Sequence, residues 1–410
     1  MRRISIASWI LIGMVAGSLF GYLAPAQTPP LAIVTSIFLR LIRSIIAPVL
    51  FGVLVRGLAE AGTGRELGRI GWRAVVYFEI VSGLALLTGW FACLIVKPGA
   101  GISLGAVAAP GASGPTPTFT DVLVSMFPAS IIDAMARGDV LQITLFSILF
   151  GLACAAIGLK SQPVVRFAGA IADVAFHYTS YVMYLAPAAV FAAMATTVAQ
   201  NGGQGALGGL ARFVATAWAA QIVFFAVALL GSVWLAGLSL RKFARETQEP
   251  FLTGFATTSS AAAIPQILAA LRRLGVPEKV VGIVTPLSLS FNATGSCIHL
   301  AMGALFTAQA AGISLSLTQQ LLILGTLKLT SKGVVGIPRA NFIVLAGLFG
   351  AFGLPMEGLT VLLGLDALID PVRTGVNVLG HCAGPPLIAR WEGSGLEAQT
   401  LAPDVPVRAA

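Results

Sequence analysis

Charge is scarce in this chain. Only 10% of its 410 residues are Asp, Glu, Lys or Arg, while 57% are hydrophobic; soluble domains carry about a quarter charged residues. Too few ionisable groups remain to cover a water-facing surface, which argues against a soluble protein of two or three domains. Cysteine and histidine are scarcer still. Cys93, Cys154, Cys297 and Cys382 stand singly in apolar stretches without a CxxC pair, so neither a disulfide framework nor a thiolate metal site is expected. The three histidines are too far apart in sequence for a zinc spacing. The formal net charge of +9 is not gathered into a basic patch with interleaved aromatics, and nucleic acid is not an expected partner.

Apolar runs fill the space that charge leaves. They cover residues 4–23, 31–59, 74–96, 122–158, 163–199, 207–240, 278–310 and 357–389, with two further stretches at 250–273 and 316–354. A span of the hydrocarbon core takes about 20 residues, so the expected fold class is an all-α membrane protein. Its expected setting is the lipid bilayer of the cytoplasmic (inner) membrane. Met1-Arg2-Arg3 and Ala24-Pro25-Ala26 mimic a signal peptide and its cleavage site, but the run between them is a full span, and a retained first helix is expected. Basic residues lie at Arg2 and Arg3, at Arg56, Arg65, Arg69 and Arg73, at Lys160 and Arg166, and at Arg241, Lys242 and Arg245. The alternate connections 24–30, 97–121 and 200–206 hold only Lys97. That alternation places the N-terminus in the cytoplasm. Segment 97–121, rich in Gly, Pro, Ser and Thr, reads as an external loop, and 392–410 as a disordered cytoplasmic tail.

Three segments interrupt the pattern of simple spans. Thr257-Thr258-Ser259-Ser260 precedes Pro265; Thr330-Ser331-Lys332-Gly333 precedes Gly336-Ile337-Pro338; and Asn292-Ala293-Thr294-Gly295-Ser296 breaks the run 278–310. Small hydroxyl residues and prolines inside apolar runs free backbone groups that must find partners. A single break is ordinary in a membrane helix, but three in succession mark re-entrant hairpins lining a cavity.

The last run carries Asp366, Asp370, Arg373, Asn377 and His381. Their steps of four, three, four and four put all five within a stripe of roughly 80° on a helix turning about 100° per residue. A stripe of that chemistry cannot face hydrocarbon and must look into protein or water. The plain reading, Asp370 neutralising Arg373 one turn away, leaves Asn377 and His381 unexplained. A guanidinium offers a donor fork suited to a carboxylate. Asp370 is placed to take an ammonium group, and helix N-termini at the hairpin tips to hold a second carboxylate. The expected ligand is a small anionic substrate, an acidic amino acid or a related dicarboxylate. Glu79 is read either as a carboxyl buried in an apolar span, able to carry a proton, or as a solvated interfacial group. Asp173 and His177 are expected to form a structural polar pair.

With these residues in view, the chain resembles the glutamate transporter homologue family, the dicarboxylate/amino acid:cation symporters, from the first span to about residue 391. The marks are the Ser-rich hairpin with Pro265, the break Asn292 to Ser296, Gly336-Ile337-Pro338, and Gly364 to Asp370 with Arg373-Thr374 and Asn377. Leu329 to Gly333 is similar to the bacterial dicarboxylate branch, Asp370 to the amino acid branch. The resemblance implies about eight transmembrane helices plus two re-entrant hairpins, a homotrimer, and a scaffold beside a transport domain that moves as an elevator. Its divisions would be 1–73 (scaffold helices 1 and 2), 74–96 (helix 3, transport domain), 97–121 (extracellular loop), 122–206 (scaffold helices 4 and 5), 207–246 (helix 6, transport domain) and 247–391 (transport core). Hairpin 316–354 would be the extracellular gate.

By the same resemblance, Arg373 would grip the substrate side-chain carboxylate and Asp370 its amino group. Thr258, Ser259, Ser260, Ser296, Ile337, Pro338, Arg339, Ala340, Asn341, Thr374 and Asn377 would complete the substrate site. Cation or proton coupling would fall to Glu79, Ser288, Ser290, Asn292, Thr294, Ser331, Asp366, Asn377 and His381. The chain departs from the family pattern where Thr294 and His381 replace acids that are sodium ligands in sodium-coupled members, and where Phe78 and Val81 replace oxygen-bearing residues. Hard cations need charged oxygen ligands, so no confident sodium site is expected, although one made of backbone carbonyls near Ser290 and Ser331 would survive. Imidazole titrates near neutral pH. The expected function is secondary transport of acidic amino acids or C4-dicarboxylates, coupled to protons more than to sodium, without enzyme activity or an organic cofactor; H+ or Na+ is the coupling ion. An uncoupled exchanger and an anion channel are the rival transport readings. An aspartyl hydrolase using Asp366 and Asp370 is disfavoured because both acids lie on one helix.

Overall fold

The computed structural model describes residues 6–61, 68–102, 104, 127–200, 204–331 and 340–393. These residues form helices and their connections, with no strand among them. In chain order the α-helices begin with α1 Ile6–Leu23, α2 Ala32–Arg43, α3 Ile46–Ala61 and α4 Gly68–Val96. Then come α5 Ile131–Arg137, α6 Val140–Ile157, α7 Gln162–Met183 and α8 Ala186–Gln200. They continue with α9 Gln204–Phe224, α10 Leu230–Leu235, α11 Leu240–Thr257, α12 Ile264–Arg273 and α13 Glu278–Phe291. The last are α14 Thr294–Ala310, α15 Leu317–Thr330, α16 Ala340–Phe352 and α17 Glu357–Trp391.

Two packing neighbourhoods organise them. In the first, α1 lies along α8, α2 on α8, and α3 against α6 and α7. The α1–α8 approach depends on Gly13, Gly17 and Gly21, where a Cβ would fall 2.5, 2.3 and 2.2 Å from the carbonyl oxygens of Pro187, Phe191 and Ala195. Small residues every fourth position let membrane helices touch backbone to backbone where no hydrophobic force drives association. In the second neighbourhood α4 packs on α13 and α14, and α17 runs through the middle against α11, α12, α13 and α14.

Several apolar runs hold two helices. The run 31–59 divides at Ser44–Ile45 and the run 163–199 at Tyr184–Leu185. Within 122–158, Gly138 ends α5 at φ 71° and Asp139 caps α6 by accepting from the Gln142 amide. Hydropathy cannot locate such divisions, because both pieces are equally apolar. The divisions drawn at 73/74 and 246/247 fall inside α4 and α11. The charges of α11 resemble a cytoplasmic loop in sequence, yet Glu246 pairs with Arg245 at 2.9 Å and with Arg273 of α12 at 2.8 Å. These three residues pair within a helical hairpin. Asp173 and His177 do not pair: Asp173 accepts from Arg56 at 3.5 Å, and His177 Nε2 bonds the Tyr181 hydroxyl at 3.0 Å.

Candidate functional site

Helix α17 has 35 residues, about 52 Å at 1.5 Å each, more than the roughly 30 Å hydrocarbon core. Its polar stripe turns inward. Arg373 donates from Nη1 to Asp366 Oδ1 at 2.6 Å and from Nη2 to Asp370 Oδ1 at 2.5 Å, and Thr374 donates its hydroxyl to the same Asp370 oxygen at 3.0 Å. Arg373 and Asp366 are each 3% exposed. The simple Asp370–Arg373 pair is therefore enlarged: two acids share one guanidinium. Each carboxylate and the fork between them satisfy one another, as buried charges must.

The second part of the site is the break between α13 and α14. Asn292 and Ala293 leave helical geometry, at φ/ψ of −95°/98° and −123°/40°, and α17 supplies partners for what they free. Asn377 Oδ1 accepts from the Gly295 amide at 2.8 Å, and its backbone carbonyl accepts from Asn292 Nδ2 at 2.9 Å. From α9, Gln221 donates to the Gly295 carbonyl at 2.9 Å. Ser296 Oγ accepts from Asn377 Nδ2 at 3.4 Å and from Asn341 Nδ2 at 3.2 Å. The N-termini of α14 and α16 thus converge on the stripe, and converging helix N-termini favour an anion. Gly295 is required by contact: a Cβ there would lie 2.3 Å from the Arg373 carbonyl oxygen.

The α11–α12 hairpin approaches from the other side, with Gly254 against Val378 and Thr374. At its tip Thr258 sits at φ 51°, a left-handed conformation that costs a β-branched residue on the order of 1–3 kcal/mol. Ser259 Oγ accepts from the Ala262 amide at 3.4 Å, and Ser260 is buried. The structure brings Ser296, Asn341, Asp370, Arg373, Thr374 and Asn377 into one network. Thr258, Ser259 and Ser260 stand outside that network, with Ser259 bonded only within its own tip. Ala340 opens α16, whereas Lys332, Ile337, Pro338 and Arg339 lie outside the described residues, as does the Ser290 side chain.

Among the residues expected to couple a cation, Asp366 and Glu79 are taken up by Arg373 and Lys328, and the described side chains around the break are uncharged hydroxyls, amides and an imidazole. Ser288 donates its hydroxyl to the Thr285 carbonyl at 2.7 Å, so its oxygen accepts from His381 Nδ1 at 2.9 Å. This assigns the ring hydrogen to Nδ1 and leaves Nε2 a buried atom without a partner, as are Asn292 Oδ1, Thr294 Oγ1 and Thr285 Oγ1. Ser331 Oγ donates to the Lys328 carbonyl at 3.3 Å. Hydroxyl and amide oxygens can ligate a hard cation but bring no charge to offset it, and an imidazole nitrogen at 381 is a poor ligand for one.

Glu79 is neither apolar-buried nor free. Lys328 on α15 bonds its Oε2 at 2.8 Å and also donates to the Glu79 carbonyl and to Ser82 Oγ, the latter at 2.6 Å. The Glu79 side chain is 36% exposed. Three groups escaped the sequence reading: Lys328, hidden in an apolar run; Gln221, a lone amide; and His299. His299 is fully buried with both ring nitrogens lacking partners. Its signal was the fourfold spacing Gly295–His299–Gly303, which puts it on the α14 face that meets α17.

Comparison with known proteins agrees with this architecture. The profile of the Sodium:dicarboxylate symporter family matches residues 6–391. Among curated relatives, C4-dicarboxylate transport protein 3 of Ralstonia nicotianae is 39% identical over 394 residues, covering 94% of this chain and 88% of the relative. The proton/sodium-glutamate symport protein of Bacillus caldotenax is 33% identical over 404 residues, covering 96% of each. The C4-dicarboxylate transport protein of Anaeromyxobacter sp. (strain K) is 36% identical over 405 residues, covering 96% of this chain and 91% of the relative. With helices throughout its described residues and several of them long and apolar enough to cross a bilayer, the chain belongs to the sodium:dicarboxylate symporter family of membrane transporters and is not an enzyme.

Proposed function

We propose that this chain is a proton-coupled symporter of small solutes with two carboxylates, C4-dicarboxylates and acidic amino acids, in the cytoplasmic membrane with its N-terminus in the cytoplasm. The observation that carries this reading is Arg373, buried at mid-helix between Asp366 and Asp370, with the N-termini of α14 and α16 beside it. A substrate carboxylate would displace Asp370 from the guanidinium fork while the helix N-termini and Ser296, Asn341 and Asn377 hold the second carboxylate. Asp370, once released, would receive the ammonium group of an amino acid substrate. The names of the relatives, C4-dicarboxylate transport protein and proton/sodium-glutamate symport protein, support both substrate classes.

Proton coupling is favoured because Thr294 and His381 replace acids at the cation positions. Of the two expected carriers, Glu79 is engaged by Lys328 and is the weaker; His381 keeps Nε2 unpartnered. The elevator reading assigns α1–α3 and α5–α8 to a scaffold and α4 and α9–α17 to the transport domain. The α15–α16 hairpin leans on α2, α3 and α6, whereas the α11–α12 hairpin packs chiefly on α17, as a cytoplasm-facing state would require. The exposed α7 face with Phe167, Val174 and Tyr181 is the surface on which a homotrimer would assemble.

Binding of radiolabelled succinate, malate, aspartate and glutamate, each with and without sodium at pH 5.5 and 8, tests the proposal. Sodium-independent binding, tighter at the lower pH, is expected. Binding that requires sodium and ignores pH refutes the coupling, and failure of all four ligands refutes the substrate class.

A further inference from the structure

We propose that the crevice between α1 and α9 seats a phospholipid, one acyl chain lying against α17 and the phosphate on Arg212. The binding rests on the fold alone; its effect on transport rests on the elevator reading above.

The crevice has a volume of about 840 Å³. Its walls run from Met14 to Tyr22 on α1 and from Leu207 to Trp218 on α9. Behind them lie the buried Met194 of α8 and Leu365 of α17. No charged residue lines it among the described residues. The Ser18 hydroxyl is spent on the Met14 carbonyl at 2.8 Å, and Trp218 Nε1 on the Leu368 carbonyl at 3.0 Å. Walls whose polar groups are already satisfied give water nothing to bind. They suit hydrocarbon.

The dimensions say which hydrocarbon. Met14 to Tyr22 is about 12 Å of helix rise and Leu207 to Trp218 about 16 Å, against roughly 15 Å for half of a bilayer core. On the proposed orientation the end of α1 and the start of α9 both face outward, so the crevice is one leaflet deep. Tyr22, 54% exposed, stands at its mouth, where amphipathic rings favour the headgroup level. Other occupants fit less well. The connection 105–120 offers only Val107 and Phe119 as large apolar residues, too few to fill such a length. The α7 face proposed for the trimer forms no part of these walls.

Arg212 adds the headgroup. It is exposed on α9 beside Ala211 at the crevice edge, with no ion-pair partner among the described residues. It lies about 12 Å from the start of α9, at a depth where a bare guanidinium is costly and reaches for the interface. Helical side chains tilt toward the N-terminus, which for α9 is the outer end. Gly208, one turn above, leaves that path open, since a Cβ there would meet nothing within 4 Å. A guanidinium brought to the interface takes a phosphate through paired N–H donors. Because α1 belongs to the scaffold and α9 and α17 to the transport domain, the seated chain crosses the boundary where the two would slide. Occupation should therefore slow uptake and leave substrate affinity unchanged.

The test uses the full chain in detergent with phosphatidylglycerol carrying a diazirine in one acyl chain, and maps adducts by mass spectrometry after illumination. Saturable labelling of Met14–Tyr22 and Leu207–Trp218 is expected, with unlabelled phosphatidylglycerol competing at least tenfold better than diacylglycerol. Ala215→Trp, which fills the crevice, should cut labelling at least fivefold, and the milder Ala211→Leu at least twofold. Arg212→Gln should erase the preference over diacylglycerol. In proteoliposomes, a higher phosphatidylglycerol fraction should lower succinate uptake at least twofold in wild type and leave Arg212→Gln unaffected. Labelling that never saturates, or that is equal around Val174 on α7, marks ordinary boundary lipid and overturns the site. A preference for phosphatidylglycerol that survives Arg212→Gln overturns the phosphate contact, and uptake that ignores phosphatidylglycerol overturns the effect on transport. Failure of the dicarboxylate and amino acid ligands to bind would refute the substrate class while leaving the lipid adducts in place, so the two readings fall separately.

Discussion

The two halves of the α17 stripe solve opposite problems. From Asp366 to Thr374 every charged group has a partner of the opposite sign or a hydroxyl, at 2.5 to 3.0 Å. From Asn377 to His381 the groups are neutral, and around them Asn292 Oδ1, Thr294 Oγ1 and His381 Nε2 are buried without partners. Each such group costs about 1–3 kcal/mol unless a water or ion reaches it. The contrast teaches that the first half is closed on itself by paired charge, while the second is polar and carries no carboxylate; on the proposed reading these are the anion site and the coupling region.

Breaking the charged half should have the largest effect. Arg373→Ala leaves two buried acids without their guanidinium, at about 3–5 kcal/mol, and should abolish substrate binding and lower thermal stability. Arg373→Lys keeps the charge but loses the fork, and should cost at least about tenfold in affinity. Scintillation-proximity binding alongside thermal unfolding in detergent separates the two effects. Close behind is Gly295→Ala: its methyl group would press on the Arg373 carbonyl oxygen at 2.3 Å. The expected outcome is a loss of affinity well beyond that of Gly325→Ala, whose Cβ would meet nothing within 4 Å.

The neutral half can be sharpened by restoring what it lacks. In the Thr294→Asp/His381→Asp double variant, two carboxylates return to the break. Sodium should then raise succinate or aspartate affinity by about tenfold or more, measured as a shift in Kd between sodium and choline salts. No sodium response would mean that these positions are not where coupling is decided. A smaller effect is expected at the rim. Lys328→Met removes the cation holding Glu79 and Ser82, and because that pair is partly exposed its net contribution is modest. A few-fold change in uptake rate, with affinity nearly unchanged, is the expected result in initial-rate assays. Least of all, Asp173→Asn breaks an exposed pair with Arg56 at 3.5 Å and should leave uptake within experimental scatter.

Much of this was legible in the chain itself. The stripe of Asp366, Asp370, Arg373, Asn377 and His381 was readable because a helix repeats every 3.6 residues and hydrocarbon does not tolerate charge. The break at Asn292–Ser296 and the hairpin around Thr258–Pro265 were readable because Pro, Gly and hydroxyl residues interrupt helices. What stayed hidden depends on neighbours distant in sequence. Asp366 as second partner of Arg373 is a rotamer choice seven residues away. Glu79 could be read only as a buried carboxyl or a solvated one because its cation, Lys328, is 249 residues off. His299 was one residue in an apolar run until α17 was packed against it. The divisions of α2 from α3 and α7 from α8, and the wide π turn at Phe225–Leu229, leave no mark in hydropathy, since apolar residues continue through them.

The most direct test is solute accumulation in proteoliposomes under one gradient at a time. With an inside-alkaline pH gradient and no sodium, the account predicts concentrative uptake of succinate or aspartate, and with an inward sodium gradient at matched pH, none above equilibration. Robust sodium-driven accumulation without response to the pH gradient would contradict it.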